Sequence, residues 1–200
     1  GSCRLIVRGA VEAVLPLCVG LSYIEAKKIN DWTAEQGILG RRAIAVAGKA
    51  CDEMKRYDEN AERDLTFAGV ISFEDPIKST TKKAIEQAGR LNVQVKILTG
   101  DSKEVAGAVA VKVGLANRID DVITGEELER MKEKKRAEAV FSHSVFARIS
   151  PEQKYKIIEI LQSKYEVGFL GEGINDAPAL KLANVALVVN GASDIAREAA

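Results

Sequence analysis

From Leu65 to the end of the chain, short apolar runs alternate with amphipathic stretches, and this alternation constrains the fold more than any other feature. Residues 65–73, 93–98, 121–124, 145–148, 167–170 and 185–189 read as strands. Residues 77–91, 102–113, 126–136, 150–164, 176–182 and 194–199 read as helices. Ser150-Pro151-Glu152-Gln153 marks one helix start, with serine at the cap, proline at the first helical position and glutamine three residues after the cap. Ala106, Gly107, Ala108 and Ala110 suit a helix that lies close on a sheet. Strand–helix–strand units of this length join parallel strands by right-handed crossovers. The expected class is therefore α/β, a parallel sheet with flanking helices.

The first part of the chain is organised differently. Residues 3–7 and 42–47 read as strands, and residues 11–18 carry apolar side chains on a helical period. Residues 23–36 read as a better helix, with Ile24, Ile29 and Trp32 able to share a face and Gly37 and Gly40 at its end. Residues 49–64 are rich in charge and poor in apolar residues, which marks an exposed connection and places a domain boundary near Arg63. The expected domains are residues 1–63 and 64–200. The 29 Lys and Arg balance the 29 Asp and Glu, so the basic footprint of a nucleic-acid binder is missing. No apolar run approaches the roughly 18 residues of a membrane helix. Cys3, Cys18 and Cys51 are odd in number and far apart, and read as small buried apolar residues of a reducing compartment. His143 is the only histidine and reads as a surface or loop residue.

Three strands end in polar loops: Glu74-Asp75-Pro76, Thr99-Gly100-Asp101 and Gly171-Glu172-Gly173. In a parallel sheet these loops share one edge, where open α/β sheets bind ligands. Gly100 lets backbone N–H groups face an anion, and Lys154, one turn into the helix at Pro151, can reach the same edge. Glu172 and Asp176 suit a hard cation such as Mg²⁺. The same loop also reads as a helix start capped by Asn175 or Asp176, with glycines serving the turn.

Order and spacing together are more specific. Asp75-Pro76-Ile77-Lys78, Thr99-Gly100-Asp101, Pro151-Glu152-Gln153-Lys154 and Gly171-Glu172-Gly173-Ile174-Asn175-Asp176-Ala177-Pro178-Ala179-Leu180 follow one another as in the P-type ion-motive ATPases. Arg8-Gly9-Ala10 resembles the Lys-Gly-Ala motif of that family's nucleotide domain, and Gly40-Arg41-Arg42 its Gly-x-Arg. The resemblance covers nearly the whole chain and is strongest to the magnesium-transporting branch. It implies a haloacid-dehalogenase-like, Rossmannoid phosphorylation domain preceded by an incomplete α+β segment, the C-terminal part of a nucleotide-binding domain. It implies ATP as substrate, Mg²⁺ as cofactor and an aspartyl-phosphate cycle. The implied parent is an integral membrane pump with this piece soluble on its cytoplasmic face. The implied partners are the rest of the same pump and its membrane helices, with no nucleic acid.

By the resemblance, Arg8 and Gly9 lie near the adenine, Arg42 near the nucleotide phosphates, and Asp75 and Lys78 at the hinge. Thr99 and Gly100 hold phosphoryl oxygens, with Asp101 beside the nucleotide. Lys154 balances phosphoryl charge, Glu172 takes the position of the Mg²⁺ aspartate, and Asn175 and Asp176 support the phosphate and the metal. Arg8 and Glu172 stand where the family has lysine and aspartate. The sequence holds no Asp-Lys-Thr-Gly-Thr stretch, the site of the family's phosphorylated aspartate. That strand is central in the family's sheet, between the strands ending at Thr99 and Leu170. The expectation is a gap there, a filling by residues 3–7 or by another copy, or marginal stability. The chain alone is expected to be inactive. The alternatives are a catalytically dead nucleotide- or Mg²⁺-binding module and, less favoured, a soluble phosphatase of the same fold.

Overall fold

The computed structural model describes residues 3–51 and 59–200. The chain forms two compact units, Gly1–Lys78 and Ser79–Ala200.

In the first unit, β1 (Cys3–Gly9) leads into a short helix α1 (Val11–Val14) and a 3-10 turn, Leu15–Leu17. The expected helix over residues 11–18 stops early because Pro16 lacks the N–H that an α-helix needs there. The chain then enters β2 (Cys18–Val19) and α2 (Tyr23–Ile38). Ser22 caps α2: its hydroxyl accepts from the Glu25 N–H at 3.2 Å, and the Glu25 carboxylate accepts the Ser22 N–H at 2.8 Å. β3 (Arg42–Cys51) and β4 (Leu65–Phe73) complete a sheet of order β1-β3-β4-β2. β1 and β4 both run antiparallel to β3. Val11 and Val14 pack on Ala45, Ala47 and Leu65, and the alanines of β3 let α1 sit close.

Two expectations change here. Residues 3–7 do not fill a place in the second sheet, because β1 pairs with β3 along its whole length. The expected connection over 49–64 begins later, since Lys49, Ala50 and Cys51 are paired strand residues. Residues 52–58 of that stretch lie outside the described residues. The first compact unit runs to Lys78 and takes in β4, which is hydrogen-bonded to β3.

In the second unit, α3 (Thr81–Arg90) precedes β5 (Ile97–Leu98), α4 (Lys103–Val113), β6 (Ile123–Thr124), α5 (Gly125–Glu129), α6 (Glu133–Ser142) and β7 (Val145–Ala147). α7 (Pro151–Gln162), β8 (Gly168–Gly171), α8 (Ala177–Leu182), β9 (Val185–Val188) and α9 (Asp194–Ala199) follow. All strand pairs are parallel, in two sheets of order β5-β7-β6 and β8-β9. This is the α/β arrangement the alternation predicts, and it is consistent with the Rossmannoid fold the resemblance implies. Phe146, Val145 and Ala147 are fully buried at its centre.

Crossover handedness places the two sheets relative to each other. The step from β6 to β7 carries α6, the step from β7 to β8 carries α7, and α6 packs on α7. Both helices cover the same face, so both right-handed steps move in the same direction and β8 lies beyond β5. α8 packs on α7, so β9 lies further out still. Yet β5 and β8 do not pair. The Ile97 and Thr99 N–H groups point to β7, which turns the backbone of Leu98 toward β8. Val167 accepts from Val185, which turns the backbone of Leu170 toward β5. The parallel sheet is therefore interrupted between β5 and β8.

Candidate functional site

The loops after β5 and β8 and the first turn of α7 meet at the carboxyl edge of the second unit's strands. After β5, the Thr99 hydroxyl donates to the Asp101 carboxylate at 2.9 Å and accepts the Asp101 N–H at 3.1 Å. The Ile149 N–H donates to the Thr99 carbonyl and the Arg148 N–H to that of Asp101, both near 3.0 Å. The residues leading to α7 are thus fastened to the loop that holds Thr99. Gly100 is exposed, and a Cβ placed on it would meet nothing within 4 Å, so an anion can approach its backbone.

The Ser150 hydroxyl caps α7, accepting from the Gln153 N–H at 3.2 Å, as the sequence predicts. One turn in, Lys154 Nζ donates to Asp176 Oδ1 at 2.7 Å. Both side chains are largely buried, about 15% and 13% exposed. Asp176 Oδ2 accepts the N–H groups of Glu172 and Gly173, each at 3.3 Å. Burial works against the charged carboxyl, but the Lys154 bond and charge and these two N–H donors outweigh it. They hold Asp176 below its ordinary value. The β8 loop is thus wrapped around one carboxylate. Gly171 is required for the wrapping, since a Cβ there would stand 2.8 Å from that of Asp176. The Ser193 N–H donates to the Glu172 carbonyl at 3.0 Å and ties the loop to the start of α9.

Glu172 and Asn175 are exposed, and neither side chain makes a hydrogen bond or ion pair among the described residues. Among the described residues Asp176 is the one buried charged residue. Its pairing with Lys154 is a contact that motif spacing does not give. The signal was in α7, where Lys154, Ile157, Ile158 and Leu161 fall on one face. A lysine in line with a buried stripe needs a carboxylate partner.

In the first unit, Arg8 stands opposite Val46, and Arg42 stands opposite Phe73. Strand alternation puts Arg8, Val46, Ile44 and Arg42 on one sheet face, away from α1. Ile6, Ile71 and Phe73 are exposed on that face. Gly9, opposite Ala45, faces the core, and a Cβ there would touch Val14 at 3.4 Å. Asp75 and Lys78 are exposed in the segment between β4 and α3. The structure therefore gathers Thr99, Gly100, Asp101, Lys154, Glu172, Asn175 and Asp176 in the second unit. It gathers Arg8 and Arg42 on one face in the first.

Residues 20–184 match the model of a family described as haloacid dehalogenase-like hydrolase. Over 98% of its length the chain is 38% identical to a magnesium-transporting ATPase, P-type 1, of Escherichia coli (strain K12). It is 36% identical to one of Salmonella typhimurium, over the same share. It is 32% identical to a probable cation-transporting ATPase F of Mycobacterium bovis, again over 98% of the chain. The chain spans 23% of the length of each of these relatives. No helix among the described residues is long and apolar enough to cross a membrane.

Proposed function

The chain belongs to the haloacid dehalogenase-like hydrolases, and from that premise we propose that it is the phosphoryl-handling portion of a P-type cation-transporting ATPase. The observation that carries this reading is the largely buried Lys154–Asp176 pair, which joins the first turn of α7 to the loop after β8, while the residues leading into α7 are bonded to the Thr99 loop. The second unit serves as the phosphorylation domain without its Asp-Lys-Thr-Gly strand, whose place is the interruption between β5 and β8. The first unit serves as the C-terminal part of the nucleotide-binding domain. The parent sits in a membrane with this portion on its cytoplasmic face, and the rest of the pump is its partner.

Each residue has a defined task. The Gly100 N–H receives a phosphoryl oxygen, and Thr99 and Asp101 shape the turn that presents it. The Lys154 ammonium has three donors; one is held by Asp176, which aims the others at the transferred group. Asn175 supports the phosphate. Arg8 and Arg42 offer cations on a sheet face that also exposes Ile6, Ile71 and Phe73, suited to a nucleotide, with the Gly9 backbone next to Arg8. Asp75, Lys78 and Asp101 complete the nucleotide contacts.

Mg²⁺ takes one or two carboxylates together with substrate phosphate, and neutralises charge on the phosphoryl group when bound. Among the described residues no three His, Cys, Asp or Glu side chains gather for a metal. Asp176 is committed to Lys154 and Asp101 is bonded to Thr99, which leaves Glu172 as the exposed carboxylate of the loop after β8. This chain thus offers part of a Mg²⁺ site. Relative to aspartate, Glu172 also carries its carboxylate about 1 Å further out, a displacement that can cost ~10²-fold. We infer weak Mg²⁺ binding by the isolated chain.

Incubated with Mg²⁺ and ATP, the chain should release no phosphate beyond background, while a non-hydrolysable ATP analogue shifts the amide signals of Arg8 and Arg42. Sustained turnover would overturn the proposal. Unmoved Arg8 and Arg42 signals, with perturbation confined to the Glu172 loop on adding Mg²⁺, would favour the second reading, a catalytically dead metal-binding module. The engagement of the Thr99 hydroxyl and both Asp176 oxygens within the chain supports that second reading. A soluble phosphatase is the least favoured reading, because the similar proteins are magnesium- and cation-transporting ATPases.

A further inference from the structure

The β1–β3 ladder brings together two residues that lie far apart in the sequence. Cys3 stands directly opposite Cys51, the last rung of a register that continues through Leu5↔Lys49 and Val7↔Ala47. Alternation puts both thiols on the face where Leu5 and Val7 meet the first unit's core. Opposed residues of an antiparallel pair have Cα atoms about 4.5–5.5 Å apart, within the roughly 4.4–6.8 Å that a disulfide spans. Their Cβ atoms stand about 4.5–5.5 Å apart, so closure asks for an approach on the order of 1 Å, which the end of a ladder can give. Both residues are only partly buried, so an oxidant can reach them.

Cys18 provides an internal contrast. It packs against the first unit's core, and its Sγ donates to the Val14 carbonyl at 3.3 Å. Cys18 is likewise only partly buried, but desolvation raises its thiol above the ordinary value, which disfavours the thiolate.

We propose that Cys3 and Cys51 form a redox-responsive pair that closes a disulfide across the end of β1 and β3 when it meets a disulfide oxidant such as oxidised glutathione. One cysteine thiolate attacks a glutathione sulfur, the glutathione disulfide breaks, and one reduced glutathione leaves. The second cysteine thiolate then attacks the mixed disulfide at the protein sulfur and releases a second reduced glutathione. The two protein thiols are oxidised, one glutathione disulfide is reduced, and both thiol protons end on the glutathiones. The new bond pins β1, which carries Arg8, to β3, which carries Arg42, at the far end of the ladder from the Arg8↔Val46 rung. It leaves both arginines untouched. In the sequence the three cysteines read as small buried residues far apart; the structure leaves all three only partly buried and sets Cys3 opposite Cys51.

The test equilibrates the full chain with glutathione buffers of increasing oxidised fraction, alkylates the remaining thiols and maps the peptides by mass. The expected species has lost two hydrogens, links the Cys3 and Cys51 peptides, keeps Cys18 open to alkylation after unfolding, and reverts with dithiothreitol. The loop closed is about 50 residues long, so the unfolding midpoint of the first unit should rise on the order of 10 °C. Trp32, the chain's one tryptophan, lies on α2 of that unit and reports the midpoint. Cys18→Ser should leave all of this unchanged. Cys3→Ser and Cys51→Ser should each stop at the mixed disulfide with glutathione and show no rise. A link to Cys18, a link between two chains, glutathione on both residues without loss of hydrogens, or thiols still reduced in the most oxidising buffer would each overturn the proposal.

Discussion

Replacing Asp176 by alanine tests the centre of the candidate site. The wild-type carboxylate takes a 2.7 Å bond from Lys154 and two 3.3 Å bonds from the Glu172 and Gly173 N–H groups. The charged bond contributes about 1.5–3 kcal/mol, and the two long backbone bonds at most about 0.5 kcal/mol each. The variant also leaves the Lys154 ammonium without a partner at about 15% exposure, which adds a penalty below the ~3–5 kcal/mol of a fully buried broken pair. The net cost is about 3 kcal/mol, which should speed amide exchange of β8 by roughly 10²-fold at neutral pH. Lys154→Met alone should cost a similar amount. The double variant should cost less than the sum, with a coupling of about 2 kcal/mol. The sign with pH follows from the depressed Asp176 value. Its contribution is present above the unfolded aspartate value of ~3.9 and lost as pH falls through the lower folded value. The difference between wild type and Asp176→Ala should therefore persist down to about pH 4 and shrink below it. Equal β8 exchange in the two proteins at neutral pH, or a coupling under about 0.5 kcal/mol, would show that the pair does not hold the loop.

Other perturbations reach the sheet, its helices and the metal loop. The interruption between β5 and β8 predicts fast exchange of the Leu98 and Leu170 amides beside a protected Thr99 amide, which donates to the Phe146 carbonyl; equal, concentration-independent protection of all three would contradict it. Gly107→Ala places a Cβ 2.2 Å from the Ile119 carbonyl oxygen. It should lower stability by about 1–3 kcal/mol in urea unfolding followed by circular dichroism. Phe146→Ala empties a fully buried position and should cost about 3–5 kcal/mol by the same measurement. Glu172→Asp should tighten Mg²⁺ binding in a titration followed by amide shifts, and an unchanged affinity would remove side-chain length as the reason for weak binding.

The parts of the fold that were legible in the sequence are those set by local chemistry. The capping box of α7, the extent of β4 and the helix at the end of the chain follow from residues within a few positions of one another. The parts that were not legible depend on partners. Residues 93–98 have the composition of one strand, but only Ile97 and Leu98 pair, because β7 reaches no further and β5 has no neighbour on its other edge. Strand length is decided by the ladder, not by the apolar run. The basic run 132–136 reads as a wet helix face. In the structure Arg136 turns inward and donates to the carbonyls of Leu128, Glu129 and Met131, closing the corner between α5 and α6 and splitting the expected single helix. The Cys3–Cys51 rung likewise needs a register that no spacing in the sequence gives.

The candidate site lies between these cases. Its motifs name the loops, but motifs place each residue toward a substrate and say nothing of how the protein holds it. Lys154 shows the difference. Read as a motif residue, it is a cation waiting for phosphate. Read as the first member of a stripe with Ile157, Ile158 and Leu161, it is a largely buried charge that the chain itself must compensate. The carboxylate that does so, Asp176, is the same one that gathers the backbone of the Glu172 loop. A single pair thus sets the position of the Lys154 ammonium and the shape of the loop that carries Glu172, so changes at Asp176 should alter both together. Glu172 itself is exposed and can vary without disturbing the fold. Under the proposed reading, its carboxylate is therefore the part of the site whose change should alter metal affinity and leave stability unchanged.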